Sequence, residues 1–276
     1  MAWVKVHCPW CNSDDVVFNG KSATGKQKCR CKNPDCPHKV FQLDYEQKAY
    51  VPGMKQKIVD MVMNGSGTRD TARVLGVSKD TVTKTLRSLK NQVTHVNEQY
   101  IKNLGSEIEI DIVLSGTPEE KEEEQEEQEE KNHANSDEIP AMEAEADEMW
   151  SYYYSKENQD WLWWAVDHKT NVPLAFTFGT REYCNLDVLL EELKPFKIHI
   201  FYTDGNFAYN NRIPAENLTI GKKNTQHIER DHLTLRTRIK RLARKTICFS
   251  KDKQIHETVI GAFINMHFFG RAIVAA

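Results

Sequence analysis

Apolar positions change their spacing several times along the chain, and each change marks a different kind of segment. Residues 1–50 hold only short β-like runs (VVFNG, KVFQLDY) between turn signals (NSDD, NG, NPDCP), too little apolar surface for a core without a staple. Over 54–95 the spacing is near 3.6, which predicts three short helices: Ile58, Val59 and Val62 in the first, Ala72, Val74 and Leu75 in the second, Val82, Leu86 and Leu89 in the third. The stretch 117–146 contains EEKEEEQEEQEEK and almost no large apolar residue before Ile139. It cannot offset chain entropy by burial and reads as a disordered linker, with a frayed helix as the competing form. From Asp147 aromatic and β-branched runs take over, and MWSYYY, DWLWWAVD and VPLAFTF predict an antiparallel three-stranded meander. An amphipathic helix over about Tyr183–Leu193 follows, then KIHIFYTDG as a fourth strand and NLTIG as a fifth. A long helix from near Thr225 and a last one around Glu257–Phe269 complete the pattern.

Net charge changes meaning once it is divided along the chain. The whole sequence of 276 residues carries 37 Lys+Arg against 40 Asp+Glu, a formal −3 that argues against a nucleic-acid partner. Residues 1–116 carry 17 against 12, residues 117–149 carry 2 against 15, and residues 150–276 carry 18 against 13. Two basic segments of +5 are thus masked by one acidic stretch of −13. No apolar run approaches the roughly 18 residues of a membrane span, and MAWVKVHCPWC has no signal core. A soluble, cytoplasmic protein without a membrane partner is expected.

Five of the seven cysteines fall within the first 36 residues, which in a reducing compartment points to metal rather than disulfides. Cys8-Pro-Trp-Cys11 is a tight knuckle answered some twenty residues later by Cys31 and Cys36 in CKNPDCPHKVF, so four thiolates can surround Zn²⁺. Cys29 competes with Cys31 for the third position, and His7 or His38 could replace a thiolate. Cys184 and Cys248 stand alone and are expected as small buried apolar groups.

In GTRDTARVLGVSKDTVTKTLRSLK, Thr68 and Ser78 suit helix N-caps and Gly76 sits where a helix-turn-helix reverses. The third helix would turn Lys79, Asp80, Thr83, Lys84 and Arg87 outward, within reach of base edges and phosphates in a major groove.

The element order β-β-β-α-β-(α)-β-α is that of a ribonuclease-H-like α/β fold, a mixed five-stranded sheet whose first and fourth strands are neighbours. Asp147 opens the first strand and Asp204 ends the fourth, so their carboxylates converge, and a helix packed on the sheet can bring Glu229 beside them. Three carboxylates suit a pair of Mg²⁺ ions that stabilise the attacking and leaving oxygens of a phosphoryl transfer. Asp167 in AVDHKTN is the rival to Asp147, but it ends the second strand, where an Asp commonly caps the turn. Glu229, Arg236 and Lys240 share one face of the long helix, beside the apolar stripe of Ile228, Leu235, Ile239 and Leu242. Between Lys222 and Lys245 there are 9 Lys+Arg against 2 acidic residues, a phosphate footprint. The tryptophans 150, 161, 163 and 164 read as core and sheet face.

Taken together, CPWC, NGKSATGKQ, the helix-turn-helix, DEMW, WLWWAVDHKT, YTDG, TQHIERDHLTLRTRIKRLARKT and CFSK make the chain similar to transposases of the insertion-sequence-one family, within the DDE superfamily. Twenty-four residues separate Asp204 from Glu229, the spacing expected of that family. The resemblance implies Asp147, Asp204 and Glu229 as a catalytic triad binding Mg²⁺ or Mn²⁺, and Arg236 as the basic residue seven after the glutamate. It further implies end recognition by the zinc finger and helix-turn-helix, double-stranded DNA as partner, and a homodimer or larger assembly bridging two element ends. The second knuckle departs from the usual pattern, with four residues between its cysteines instead of two. The expected organisation is a zinc-binding domain over 1–50, a helix-turn-helix domain over 51–105, an acidic linker over 106–146 and a catalytic domain over 147–276. Two other classes fit parts of the pattern: a zinc-finger and helix-turn-helix transcription regulator, and a ribonuclease-H-like nuclease without strand transfer.

Overall fold

The computed structural model describes residues 5–110 and 142–274, which fall into two compact units divided between Leu89 and Lys90. The acidic run EEKEEEQEEQEEK lies outside the described residues. Among the described residues no helix is long and apolar enough to cross a membrane.

The first unit opens with a three-stranded antiparallel sheet, β1 (Val16–Lys21), β2 (Gln27–Cys31) and β3 (Val40–Gln42). Its core is small: Cys8, Cys29, Cys31, Cys36 and Phe41 are buried, with Val6, Trp10 and Val16 packed around them. Three helices follow, α1 (Met54–Met63), α2 (Thr68–Leu75) and α3 (Lys79–Ser88), around the buried side chains of Ile58, Val59, Val62, Val82, Leu86 and Leu89. Gly76 takes a left-handed φ of 65°, which closes α2 and lets the chain reverse. Ser78 Oγ then accepts the Thr81 amide and caps α3. Two expectations fail on α2. Gly67, not Thr68, is its N-cap, and Val74 is exposed because Thr71 and Ala72 face the core. At 100° per residue a helix that buries 71, 72 and partly 75 must turn 74 away.

The second unit begins with α4 (Glu98–Ile110) and builds a five-stranded sheet from β4 (Met142–Tyr152), β5 (Gln159–Asp167), β6 (Pro173–Gly179), β7 (Ile198–Thr203) and β8 (Leu218–Ile220). The strand order is β6-β5-β4-β7-β8, with β4 antiparallel to β5 and parallel to β7, so the first strand lies beside the fourth. The segment expected as linker is ordered at both ends, since α4 runs to Ile110 and β4 starts at Met142, ahead of Asp147. The alternation Met142, Ala144, Ala146 extends the strand period upstream, though only small side chains mark it.

Both faces of the sheet are covered. Ala144, Ala146, Trp163 and Ala165 face α5 (Tyr183–Leu193) and the short α6 (Phe207–Asn210), whose Leu186, Leu189 and Tyr209 complete one core. On the opposite face Trp164 and Phe176 meet the C-terminal helix α8 (Lys253–His267), which brings Gly261 and, just beyond its end, Phe268. A Cβ at Gly261 would stand 2.6 Å from Val93 Cγ1, so only glycine permits that approach. The helix α7 (Gln226–Arg238) also packs on β4 and β5. Cys184 and Cys248 are exposed, against the expectation that they fill core positions. Cys184 lies near the start of α5 outside its Leu186, Leu189 and Leu193 stripe, and Cys248 lies in a loop.

One buried charge lowers the stability of this unit. Asp160 is fully buried, neither oxygen accepts a hydrogen bond, and Lys253 Nζ and His256 Nε2 stand 3.9 Å away. Burial pushes its carboxyl up to about 7 and pushes His256 down to about 3. A carboxyl raised on folding contributes stability below its unfolded value, and that contribution is lost as pH rises through about 4 to 7. Asp160→Asn is therefore expected to flatten the dependence of melting temperature on pH between 4.5 and 8. At pH 8 the variant should gain on the order of a few kcal/mol over wild type. A parallel melting curve for the two proteins across that range would refute this.

Candidate active site

Strand β4 carries Glu145 and Asp147 on the face toward α7, and Glu148 on the face toward α5 and α6. Its pairing with β7 stops at Glu145 and Tyr202, because β7 ends at Thr203 and the chain turns away through Asp204 and Gly205, the latter at a φ of 88°. Beyond that rung one edge of β4 is bare, and side chains from both of its faces can converge there. Asp147, Glu148 and Asp204 bring carboxylate oxygens within 4.8 Å of one another. This place lies at the carboxyl end of β7 and beside the middle of β4, and the crevice at the carboxyl end of a parallel strand is where open α/β sheets hold ligands.

An open cleft of about 590 Å³ adjoins it, lined by Asp147, Glu148, Glu229, His232, Arg236 and Arg244 among others. Glu229 is exposed in the first turn of α7, and His232, three residues on, points Nδ1 at Asp147 Oδ2 across 3.4 Å. The sequence candidates Asp147, Glu229 and Arg236 thus share one cleft, with Asp204 at its edge through the carboxylate cluster. Arg236 is half-buried, and its guanidinium donates to the carbonyls of Trp150 at 3.2 Å and Leu242 at 3.4 Å. Burial, and then Arg244, lower its pKa. Lys240 does not share the Glu229 face: α7 ends at Arg238, Ile239 is extended, and Lys240 opens a separate turn. The apolar stripe through Ile239 and Leu242 continues into the core, which hides the helix end from a periodicity argument.

Asp167 stands apart from this cluster. Its oxygens accept from the Lys169 and Thr170 amides and from the hydroxyls of Thr170 and Tyr100, which caps the β5–β6 turn and docks α4. Glu148 and His232 were not among the sequence candidates. For Glu148 the period of two argues against a place beside Asp147, and only the end of β7 overrules it. Glu148 is buried and held by Arg181 Nε at 2.9 Å, by Asn206 Nδ2 and by the Tyr209 hydroxyl at 3.2 Å. Burial raises its pKa, Arg181 opposes that, and Asp147 and Asp204 add to it. Asp147 and Asp204 have no Arg or Lys partner among the described ion pairs, so a hard cation with oxygen ligands fits this donor set.

In the first unit, Cys8, Cys11, Cys31 and Cys36 converge, with Sγ–Sγ separations of 3.6 Å for Cys8–Cys36 and Cys11–Cys31. Four sulfurs about 2.3 Å from a tetrahedral Zn²⁺ stand about 3.8 Å apart, so the quartet fits that ion. Cys29 is buried outside the group, and burial raises its pKa. On α3, Lys79, Asp80, Lys84 and Arg87 are exposed and Thr83 is half-buried. A hollow of about 530 Å³ beside α3 is lined by Arg69, Arg73, Ser78, Lys79 and Asp80. The two arginines, four apart on α2, are further basic groups that the sequence candidates did not include.

Comparison with known proteins finds three families along the chain. Residues 1–36 match a zinc-ribbon family described as the InsA N-terminal domain, residues 45–92 a helix-turn-helix family described as the InsA C-terminal domain, and residues 141–270 the family described as IS1 transposase. The chain is 50% identical over 129 residues to the insertion element iso-IS1n protein InsB of Shigella dysenteriae, covering 47% of this chain and 98% of that protein. It is 39% identical over 126 residues to the insertion element IS1 protein InsB of Shigella sonnei, covering 46% of this chain and 96% of that protein. A zinc ribbon, a helix-turn-helix and a carboxylate-lined cleft on one chain define a DNA-binding transposase of the DDE class. The chain belongs to the IS1 transposase family.

Proposed function

We propose that this transposase binds the terminal inverted repeats of its element, cuts DNA at the element ends and joins the 3′ ends to target DNA by two-metal phosphoryl transfer. The observation that carries the reading is the meeting of Asp147 and Asp204 where β7 ends, with Glu229 lining the same cleft. These three carboxylates would hold Mg²⁺ or Mn²⁺, which would supply activation of water or a 3′-hydroxyl and stabilisation of the leaving oxygen. Glu148, already engaged by Arg181, Asn206 and Tyr209, keeps the Asp204 loop against β4. Arg244 at the cleft wall offers a cation to the DNA backbone. The strand order supports a ribonuclease-H-like assignment for the catalytic unit. Two ends must be joined, so a homodimer or larger assembly on DNA is part of the reading, in the cytoplasm where the element resides.

The ribbon and α3 read the ends, with Lys79, Thr83, Lys84 and Arg87 toward the groove. Lys79→Ala and Lys84→Ala are each expected to lower the slope of log K against log salt by about 1. An unchanged slope in end-binding titrations would remove them from the interface. The decisive assay for the activity is Mg²⁺-dependent joining of a pre-cut, end-bearing oligonucleotide to plasmid. Cleavage without joined product would favour the plain nuclease, and end binding with neither would favour the transcription regulator.

A further inference from the structure

A second polar layer lies directly below the carboxylate cluster, and its centre is Glu145. This residue precedes Asp147 by two on the same face of β4, and its side chain is 1% exposed. A carboxylate so deeply buried needs donors on every side, and it has three. Oε2 accepts the backbone amide of Ile228 at 3.2 Å, while Oε1 accepts from His227 Nδ1 at 2.8 Å and His168 Nδ1 at 2.9 Å. Ile228 is the third residue of α7 and the neighbour of Glu229. The first turn of α7 has no side-chain cap from its own Thr225, so a carboxylate from a strand 83 residues away does that work. The same layer reaches β7: the His168 ring lies 4.3 Å from that of Tyr202, which pairs with Glu145 and precedes Asp204 by two.

We propose that Glu145 is a positioning residue for Glu229: by holding the first turn of α7 onto β4 one pleat below Asp147, it sets the separation of Asp147 and Glu229. His227 and His168 serve by satisfying that carboxylate. The inference rests on the reading of Asp147, Asp204 and Glu229 as metal ligands. Packing of Ile228 and Leu235 keeps α7 on the sheet, but apolar contacts tolerate small slides, whereas a charge-assisted bond to one amide defines the register. Residues that orient metal ligands from behind typically cost about 10–100-fold in metal affinity or activity when changed.

The test uses the full chain with Glu145→Asp, which keeps the charge but withdraws it by one methylene, alongside His227→Gln and His227→Ala. Glu145→Asp is expected to retain end binding and to raise the Mg²⁺ concentration for half-maximal joining by about 10-fold or more. His227→Gln, which can still donate, should lie closer to wild type than His227→Ala. A purely structural role would lower the folded fraction and leave the Mg²⁺ dependence of the folded molecules unchanged, and that result would overturn the proposal. So would a bound Zn²⁺ equivalent beyond that of the four cysteines and lost in His227→Ala, since Glu145, His168 and His227 would then be ligands themselves. Glu229→Gln separates the two levels. If it still joins DNA, the triad reading fails. If it is inactive while Glu145→Asp keeps the wild-type Mg²⁺ dependence, only the positioning role fails.

Discussion

Asp204→Asn and Glu229→Gln are expected to reduce joining of a pre-cut end by more than about 10³-fold while leaving end binding within a factor of a few. Metal stabilisation of the attacking and leaving oxygens is worth several kcal/mol, and each 1.4 kcal/mol is about a decade in rate. An amide is nearly isosteric with a carboxylate but brings no charge to a divalent cation, so the ligand is weakened without a change of shape. Folding should not suffer. Asp147, Glu148 and Asp204 crowd like charges within 4.8 Å, with Arg181 on Glu148 as the cation answering them. Removing the charge of Asp204 relieves repulsion in metal-free protein. Without added Mg²⁺ the catalytic unit of the variant should therefore melt at or above the wild-type temperature, whereas added Mg²⁺ should stabilise wild type more than the variant. Joining by either variant at more than a tenth of the wild-type rate would sink the triad.

Replacing Cys11 by Ser is expected to release Zn²⁺ and to unfold the ribbon over residues 5–42, with the catalytic unit melting as before. The ribbon has Phe41, Trp10, Val6 and Val16 as its apolar complement, far short of what an independent domain requires. Structural zinc contributes about 10–16 kcal/mol in small zinc peptides near pH 7, so its loss outweighs everything else that holds this sheet. End binding should then fall toward the non-specific level, which is commonly about 10³-fold or more weaker. Cys29→Ser is the control: it should keep the metal, because Cys29 lies outside the quartet, and lose only packing. Zinc content and hydrogen exchange over 5–42 measure both. Retained zinc in Cys11→Ser together with loss in Cys29→Ser would reassign the ligand set.

Much of this was legible without coordinates. Gly76 and Ser78 announce the turn and cap of the helix-turn-helix because each answers a local backbone demand, a left-handed φ and an orphan amide. The spacing of Cys8 and Cys11 against Cys31 and Cys36 permits a tetrahedron, and the alternating apolar runs mark the strands. The errors lie where a local pattern continues past the element that produced it. Lys240 keeps helical spacing with Glu229 after the helix has ended, and Val74 keeps apolar character on a face turned to solvent.

By itself, then, the sequence determined most of the elements, their order, the cysteine cluster that holds the zinc candidates and the acidic residues available for catalysis, since each is read from residue types and their spacing along the chain. The tertiary structure alone decided how those acids divide their work. Asp167 became a turn cap once Tyr100 and Thr170 reached it, and Glu148 joined Asp147 because β7 stops one rung too soon to separate them. Glu145 was buried beneath them by the arrival of α7, whose Ile228 amide meets Oε2 while His227 and, from the β5–β6 turn, His168 meet Oε1. The physical reason is common to all three. The environment of a carboxylate is set by which donors and which bare strand edge lie within about 3 Å of it in space, and those come from residues tens of positions away.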